Sequence, residues 1–179
     1  LSARGVTILN DPSVLLSTHD KLLTARLLDG AGIVHPETRL VTAVGSTPKW
    51  ADPVVLKPRF GSWGLHVARC DSEDELRRQL DAIAEHRWFR SGGAIVQDLV
   101  PSSGFDLRLV VARRRVVGAV LRVSAEGEWR TNVALGAQLA EDYLERRDRV
   151  REIARESARR PQLASAADVM RPLAPHTPT

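Results

Sequence analysis

The chain has 179 residues, 43% of them hydrophobic and 27% charged, enough for one compact domain or two small lobes of globular composition. No apolar run reaches the length of a membrane span, no secretory signal opens the chain, and a single cysteine excludes an internal disulfide, which points to a reducing cytoplasm. A net charge of +4 fits nucleic acid, an anionic membrane or a polyanionic small ligand such as ATP, while aromatics at 4% indicate no base-stacking platform.

Val6 to Leu9 reads as a short strand stopped by Asn10-Asp11-Pro12. STHDKLLTARLLDGAG follows as a helix, with Ser17 or Thr18 as N-cap, Leu22, Leu23 and Leu27 as its apolar stripe and Gly30 at its end. HPETRLV is a turn leading into a strand, and residues 45–53 read as a linker. Val54 to Lys57 and Leu65 to Arg69 form a hairpin around a Gly-rich loop. Ser72 and Glu75 make a capping box that predicts a helix over 73–86, with Leu76, Leu80 and Ile83 inward. Ala94 to Val100 is the next strand, closed by Pro101.

Beyond Gly104 the pattern has period two, with Leu107, Leu109 and Val111 on one face and Asp106, Arg108 and Val110 on the other. Val116 to Val123 pairs back across a solvated turn of Arg113, Arg114 and Arg115, and EGEWRTN leads out into ALGAQ. Residues 141–160 read as one charged helix and residues 161–179 as a disordered tail. The fold class is therefore α+β. A leading segment over 1–50 precedes a small antiparallel lobe with a helix over 51–100, and part of a larger sheet lobe follows over 101–140.

The stretch VVLKPRFGSWG places Lys57 on one strand face with Val55, just before a turn containing Gly61, Ser62, Trp63 and Gly64. Glycines let backbone N–H groups approach an anion, Ser62 adds a hydroxyl donor and the lysine charge neutralises phosphate. The order is lysine then glycine, unlike a P-loop, and an ordinary hairpin with a surface lysine fits the same residues. Gln97, Asp98, Leu99 and Val100 end a strand whose edge backbone groups suit an adenine, or simply run into a loop. Asp106 and Arg108 share a strand face, as a cleft acid and base or as a surface ion pair. Arg122, Arg130 and Asn132 gather donors suited to carboxylate or phosphate, or form a solvated rim. The five histidines, His19, His35, His66, His86 and His176, show no metal-ligand spacing.

Lys21 in THDK, KPRFGSWG, IVQDLV, GFDLR and LRVSAEGEWRTNVALG, in this order over residues 5–138, resemble the ATP-grasp ligases of the RimK/LysX type. The resemblance implies a fold that clamps ATP between a small antiparallel lobe and a larger sheet. It implies a ligase that joins a carboxylate to an amine, often adding an amino acid to a peptide or carrier protein. By motif, Lys21 and Lys57 would contact the ATP phosphates, with the 61–64 loop over them. Asp98 and Leu99 would hold the adenine, and Asp106 would lie by the ribose. Arg130, Thr131 and Asn132 would complete the nucleotide site, while Arg108 and Arg122 would steady an acyl-phosphate or the substrate carboxylate. The family usually carries Glu where this chain has Asp98.

The family holds Mg2+ with an acidic residue and a later Glu-x-Asn, whereas no asparagine follows Asn132 here. With Leu1 at the start, the expectation is an incomplete ATP-grasp unit, from a partial gene, a frameshifted end or a degenerate homologue. Such a chain alone would bind nucleotide weakly and turn over little or nothing. Two other classes fit the same residues: a nucleotide-binding module without a reaction, and a basic nucleic-acid binder whose affinity falls steeply with salt.

Overall fold

The computed structural model describes residues 12–45, 50, 53–101, 104–112 and 115–139. The strand expected at Val6 to Leu9, most of the 45–53 linker, Arg113 and Arg114, the 141–160 helix and the 161–179 tail lie outside the described residues. The chain divides into two units. The first takes in the described chain up to Ala31, Pro36–Gly61 and Leu65–Leu99; the second takes in Gly32–His35, Ser62–Gly64 and the described chain from Val100. No helix among the described residues is long and apolar enough to cross a membrane.

The first unit opens with α1 (Pro12–His19) and α2 (Lys21–Gly30) where the sequence predicts one helix. The break falls at Asp20, whose carboxylate accepts the N–H groups of Leu22 and Leu23 and so caps α2. That displaces the expected caps: Ser17 and Thr18 lie inside α1, and the Thr18 hydroxyl donates to the Leu15 carbonyl. Leu22 and Ala25 are buried while Leu27 is exposed, because the buried face is centred on Leu22 and Ala25, and Leu27, five residues after Leu22, lies about 140° round the helix from it.

A four-stranded antiparallel sheet follows, built from β1 (Thr38–Val41), β2 (Val54–Pro58), β3 (Ala68–Cys70) and β4 (Ala94–Asp98) in the order β1-β4-β2-β3. The helices α3 (Glu73–Ile83) and α4 (Arg87–Gly92) connect β3 to β4. One sheet face presents Val41, Val54, Leu56, Ala94 and Val96 to Leu76, Leu80 and Phe89 of the helices, and this is the core of the unit. The opposite face carries Val55 and Lys57 of β2 beside Gln97 and Ile95 of β4, so the alternation read from VVLK holds.

The hairpin arm is shorter than expected. Leu65 is exposed in the turn, and β3 begins only at Ala68, because Trp63 and His66 adopt positive φ (67° and 55°) and hold the chain out of the ladder. The capping box forms in altered shape: the Ser72 hydroxyl accepts from the Glu75 N–H, while the Glu75 carboxylate takes the N–H of Asp71. Replacing Ser72 with Ala is expected to lower stability by about 1 kcal/mol, as read by urea denaturation. The helix predicted over 73–86 ends at Ile83, and α4 then carries Trp88 and Phe89 to the core. Gly93 ends α4 and starts β4 in a conformation (φ 73°, ψ 177°) that belongs to glycine.

The second unit holds a three-stranded antiparallel sheet, β5 (Phe105–Ala112), β6 (Arg115–Val123) and β7 (Gln138–Leu139), in the order β5-β6-β7. β5 pairs with β6 as the period-two reading expects, and the structure adds the register, Phe105 opposite Val123 and Asp106 opposite Arg122. A register shift between Val110 and Val111 interrupts the alternation near the turn. Gly104 fastens the open end: its carbonyl accepts both the N–H and the hydroxyl of Ser124.

Candidate functional site

In the first unit Lys57 is the half-buried cation of an otherwise apolar strand. Its Nζ donates to Gln97 Oε1 at 2.5 Å, the Gln97 amide donates to Thr38 Oγ1 at 2.6 Å, and the Thr38 hydroxyl donates to the Pro36 carbonyl at 2.9 Å. This chain of donors runs across three neighbouring strands and fixes the direction of the ammonium. Burial first, and then the charge of Lys21, bring the Lys57 pKa down from 10.5 to about 8. Two lysine charges thus act on one another here, an arrangement that an anion relieves.

Lys21 sits at the first position of α2, and its ammonium donates to the carbonyls of Gly61 at 2.7 Å and Arg59 at 3.4 Å. Its pKa is lowered by burial, against an upward pull from Asp20. Beside it, Asp20 receives both Nε and Nη2 of Arg59, at 2.9 and 2.5 Å, and the Arg59 hydrogen bond leads the lowering of the Asp20 pKa. Neither Asp20 nor Arg59 stands out in the sequence as a site residue. The signal was available only in the acid directly before Lys21, because the arginine lies 39 positions away.

The strand end expected to read an adenine is differently wired. β4 is an interior strand, so the N–H of Asp98 donates to the Glu37 carbonyl at 3.1 Å and that of Leu99 to the Pro53 carbonyl at 3.2 Å. The free edge N–H groups expected at these two residues are therefore already engaged. The Asp98 carboxylate is occupied as well, by Trp50 Nε1 at 2.7 Å and the Glu37 N–H at 3.2 Å. Val100 is exposed.

In the second unit three of the expected residues meet. The Asp106 carboxylate takes Nε of Arg122 at 2.7 Å, its other oxygen takes Nη2 of the same arginine, and Thr131 Oγ1 donates to that second oxygen. Arg108 lies opposite Val120 and is exposed, so the acid of this strand pairs with Arg122 and not with its neighbour on the same face. Arg130 is held by Glu128, whose oxygens accept from Nε at 3.0 Å and Nη2 at 2.8 Å. Those bonds bring the Glu128 pKa from 4.5 down to about 2. Glu128 is a further residue that sequence reasoning passed over.

Arg130 Nη1 also donates to the Gly64 carbonyl at 3.1 Å. A Cβ on Gly64 would stand 3.0 Å from Asn132 Oδ1 and from Leu135, at a φ of +74°, so the close approach of the Gly-rich loop to the R-T-N segment requires glycine. Within that loop Ser62 is exposed, and Trp63 is 68% exposed at its positive φ.

Among the described residues no group of three or more His, Cys, Asp or Glu side chains is placed to hold a metal ion. Asp106 and Glu128 do not fit Mg2+ as they stand, since an arginine already occupies both oxygens of each carboxylate.

A family model described as RimK-like ATP-grasp domain matches residues 18–171. The tetrahydromethanopterin:alpha-L-glutamate ligase of Methanosarcina acetivorans is 30% identical over 161 residues, which cover 81% of this chain and 49% of that protein. The alpha-aminoadipate–LysW ligase LysX of Saccharolobus solfataricus is 31% identical over 138 residues, 75% of this chain and 50% of that protein. A RimK domain protein ATP-grasp from Sphaerobacter thermophilus is similar in structure, with a TM-score of 0.51 and 28% identity over 82% of this chain and 56% of that one. The L-amino acid ligase from Bacillus licheniformis shares the fold at 16% identity, with a TM-score of 0.54 over 73% of this chain and 31% of that one. The chain spans about half the length of the curated relatives it matches.

Proposed function

Because the chain belongs to the RimK-like ATP-grasp family, we propose that it binds ATP through Lys21 and Lys57 and that the whole protein is an ATP-dependent carboxylate–amine ligase. The observation that carries the reading is the pair of mutually repelling lysines beside the base of the glycine loop. The reaction transfers the terminal phosphoryl group of ATP to a carboxylate, giving an acyl-phosphate and ADP. An amine then attacks the acyl carbon, loses its proton and displaces phosphate. Little covalent chemistry falls to the protein, whose part is positioning and charge neutralisation.

In this reading Lys57, aimed by Gln97, and Lys21 neutralise the phosphates, and the N–H groups of the 61–64 loop add donors. With the N–H groups of Asp98 and Leu99 engaged, adenine recognition by the 97–100 segment falls to its carbonyls and to Val100. Asp106, Arg130, Thr131 and Asn132 serve the nucleotide. Arg108 and Arg122 serve the acyl-phosphate, Arg108 being exposed and Arg122 oriented by Asp106. Charge neutralisation among the described residues rests on lysine and arginine. The carboxylate and amine are those of an amino acid and a peptide or carrier protein, the substrate class suggested by the relatives' names.

Calorimetry of the chain with ATP tests the nucleotide reading, and ADP release in the presence of an amino-acid mixture tests the ligase reading. We expect saturable binding tighter than about 1 mM, competed by ADP. Binding without ADP release would leave a nucleotide-binding module. Absence of ATP binding, or an affinity for nucleic acid that falls steeply with salt, would overturn the reading.

A further inference from the structure

Asp20 is the buried charged residue among those described, 5% exposed, and the proposed reaction gives it no part. Both of its oxygens are occupied. Oδ1 accepts the N–H groups of Leu22 and Leu23, at 3.0 and 3.2 Å, as well as Arg59 Nε, while Oδ2 accepts Arg59 Nη2. Lys21, the next residue, bonds elsewhere: its N–H goes to the Arg59 carbonyl at 3.2 Å and its ammonium to the carbonyls of Arg59 and Gly61.

A carboxylate next in sequence to a phosphate-binding lysine is a competitor, because an ammonium paired with it is less available to an anion. Here the planar fork of Arg59 takes that carboxylate, which suits guanidinium geometry better than that of a point-charge ammonium. The fork is itself delivered by a fixed backbone. Arg59 follows β2 two residues after Lys57, and its N–H donates to the Gly93 carbonyl at 3.3 Å.

We propose that Arg59 and Asp20 are positioning residues of the two-lysine site: Arg59 holds the Asp20 carboxylate on the start of α2 and off the Lys21 ammonium, which leaves that ammonium to an anionic ligand. The inference rests on the phosphate role given above to Lys21 and Lys57. A purely structural pair has a different signature, since each substitution then acts through stability and the double variant is at least as impaired as the worse single. In the positioning role the harm of losing Arg59 comes from an unmasked carboxylate, and neutralising Asp20 in the same chain relieves it.

The test compares Arg59→Met, Asp20→Asn and the double variant with the unmodified chain, by ATP calorimetry and by NMR titration of the lysine ε-methylene signals. The Asp20→Asn change keeps an oxygen to cap α2. Arg59→Met is expected to weaken ATP binding about tenfold, since the freed carboxylate now competes for Lys21. It should also move the Lys21 titration upward, and the double variant should recover most of the lost affinity. An unchanged Lys21 titration in folded Arg59→Met, or a double variant that binds ATP no tighter than Arg59→Met alone, overturns the proposal. Should Arg59→Met fail to fold, Arg59→Lys, which keeps the charge without the fork, is read in the same two ways. A chain that binds no ATP at all refutes the phosphate role, and the Lys21 titration, recorded without nucleotide, then decides the Asp20–Arg59 arrangement by itself.

Discussion

Lys57→Met is expected to weaken ATP binding roughly a hundredfold while raising the melting temperature of the nucleotide-free chain at neutral pH. The two effects have one origin. Burial and the charge of Lys21 bring the Lys57 pKa from 10.5 to about 8, so the folded state holds this proton less tightly than the unfolded chain does. Below pH 8 both states carry the charge and the fold bears the whole penalty. Between about 8 and 10.5 the unfolded chain binds more proton, stability rises with pH, and above that window the penalty is gone. The shift corresponds to a ceiling of about 3 kcal/mol.

Loss of the Gln97 bond offsets about 1 kcal/mol of that gain. The remainder is worth on the order of 5 °C in melting temperature at pH 7, and the advantage of the variant should shrink towards pH 10.5. Thermal melts at the two pH values and ATP calorimetry check this. A variant that melts lower at pH 7, or that keeps its ATP affinity, would show that Lys57 is an ordinary surface cation.

Gly93→Ala is expected to destabilise the first unit by at least about 3 kcal/mol. The backbone there (φ 73°, ψ 177°) lies in a region open to glycine, and a Cβ would stand 2.8 Å from the Val41 carbonyl oxygen. That neighbour is backbone in β1, which pairs with β4 at Val41 and Ala94, so it has no rotamer through which to retreat. Gly30→Ala is the matching control: nothing lies within 4 Å of its Cβ, and alanine favours the helix. Urea denaturation of both variants gives the comparison, and equal midpoints would mean that the β1–β4 contact yields more readily than its geometry implies.

Much of this was legible in the sequence. Alternation put Lys57 and Val55 on one face, Leu76 and Leu80 faced inward as their spacing demands, and β5 paired with β6, which takes in Arg115, a residue expected in the turn. What escaped depends on partners distant in the chain. The cap of α2 is Asp20 because Arg59, far along the sequence, neutralises a carboxylate that is otherwise costly to bury. α4 shows no amphipathic stripe in RWFRSG, and only packing of Trp88 and Phe89 against the sheet makes it form. The order β1-β4-β2-β3 makes β4 interior, and that alone engages the N–H groups of Asp98 and Leu99. At the arginines, residue type was readable and pairing was not: Asp106 chose Arg122 across the strands, and Glu128 claimed Arg130.

The lone cysteine of the chain lies on β3, opposite Val54, with no exposure to solvent. No other thiol competes with it, so the rate at which a thiol reagent modifies Cys70 times the opening of the first unit's core without any introduced label. The same clock reads the ligand. An anion that quiets the repulsion between Lys21 and Lys57 slows the opening, and with it the labelling of a residue on the other side of the sheet.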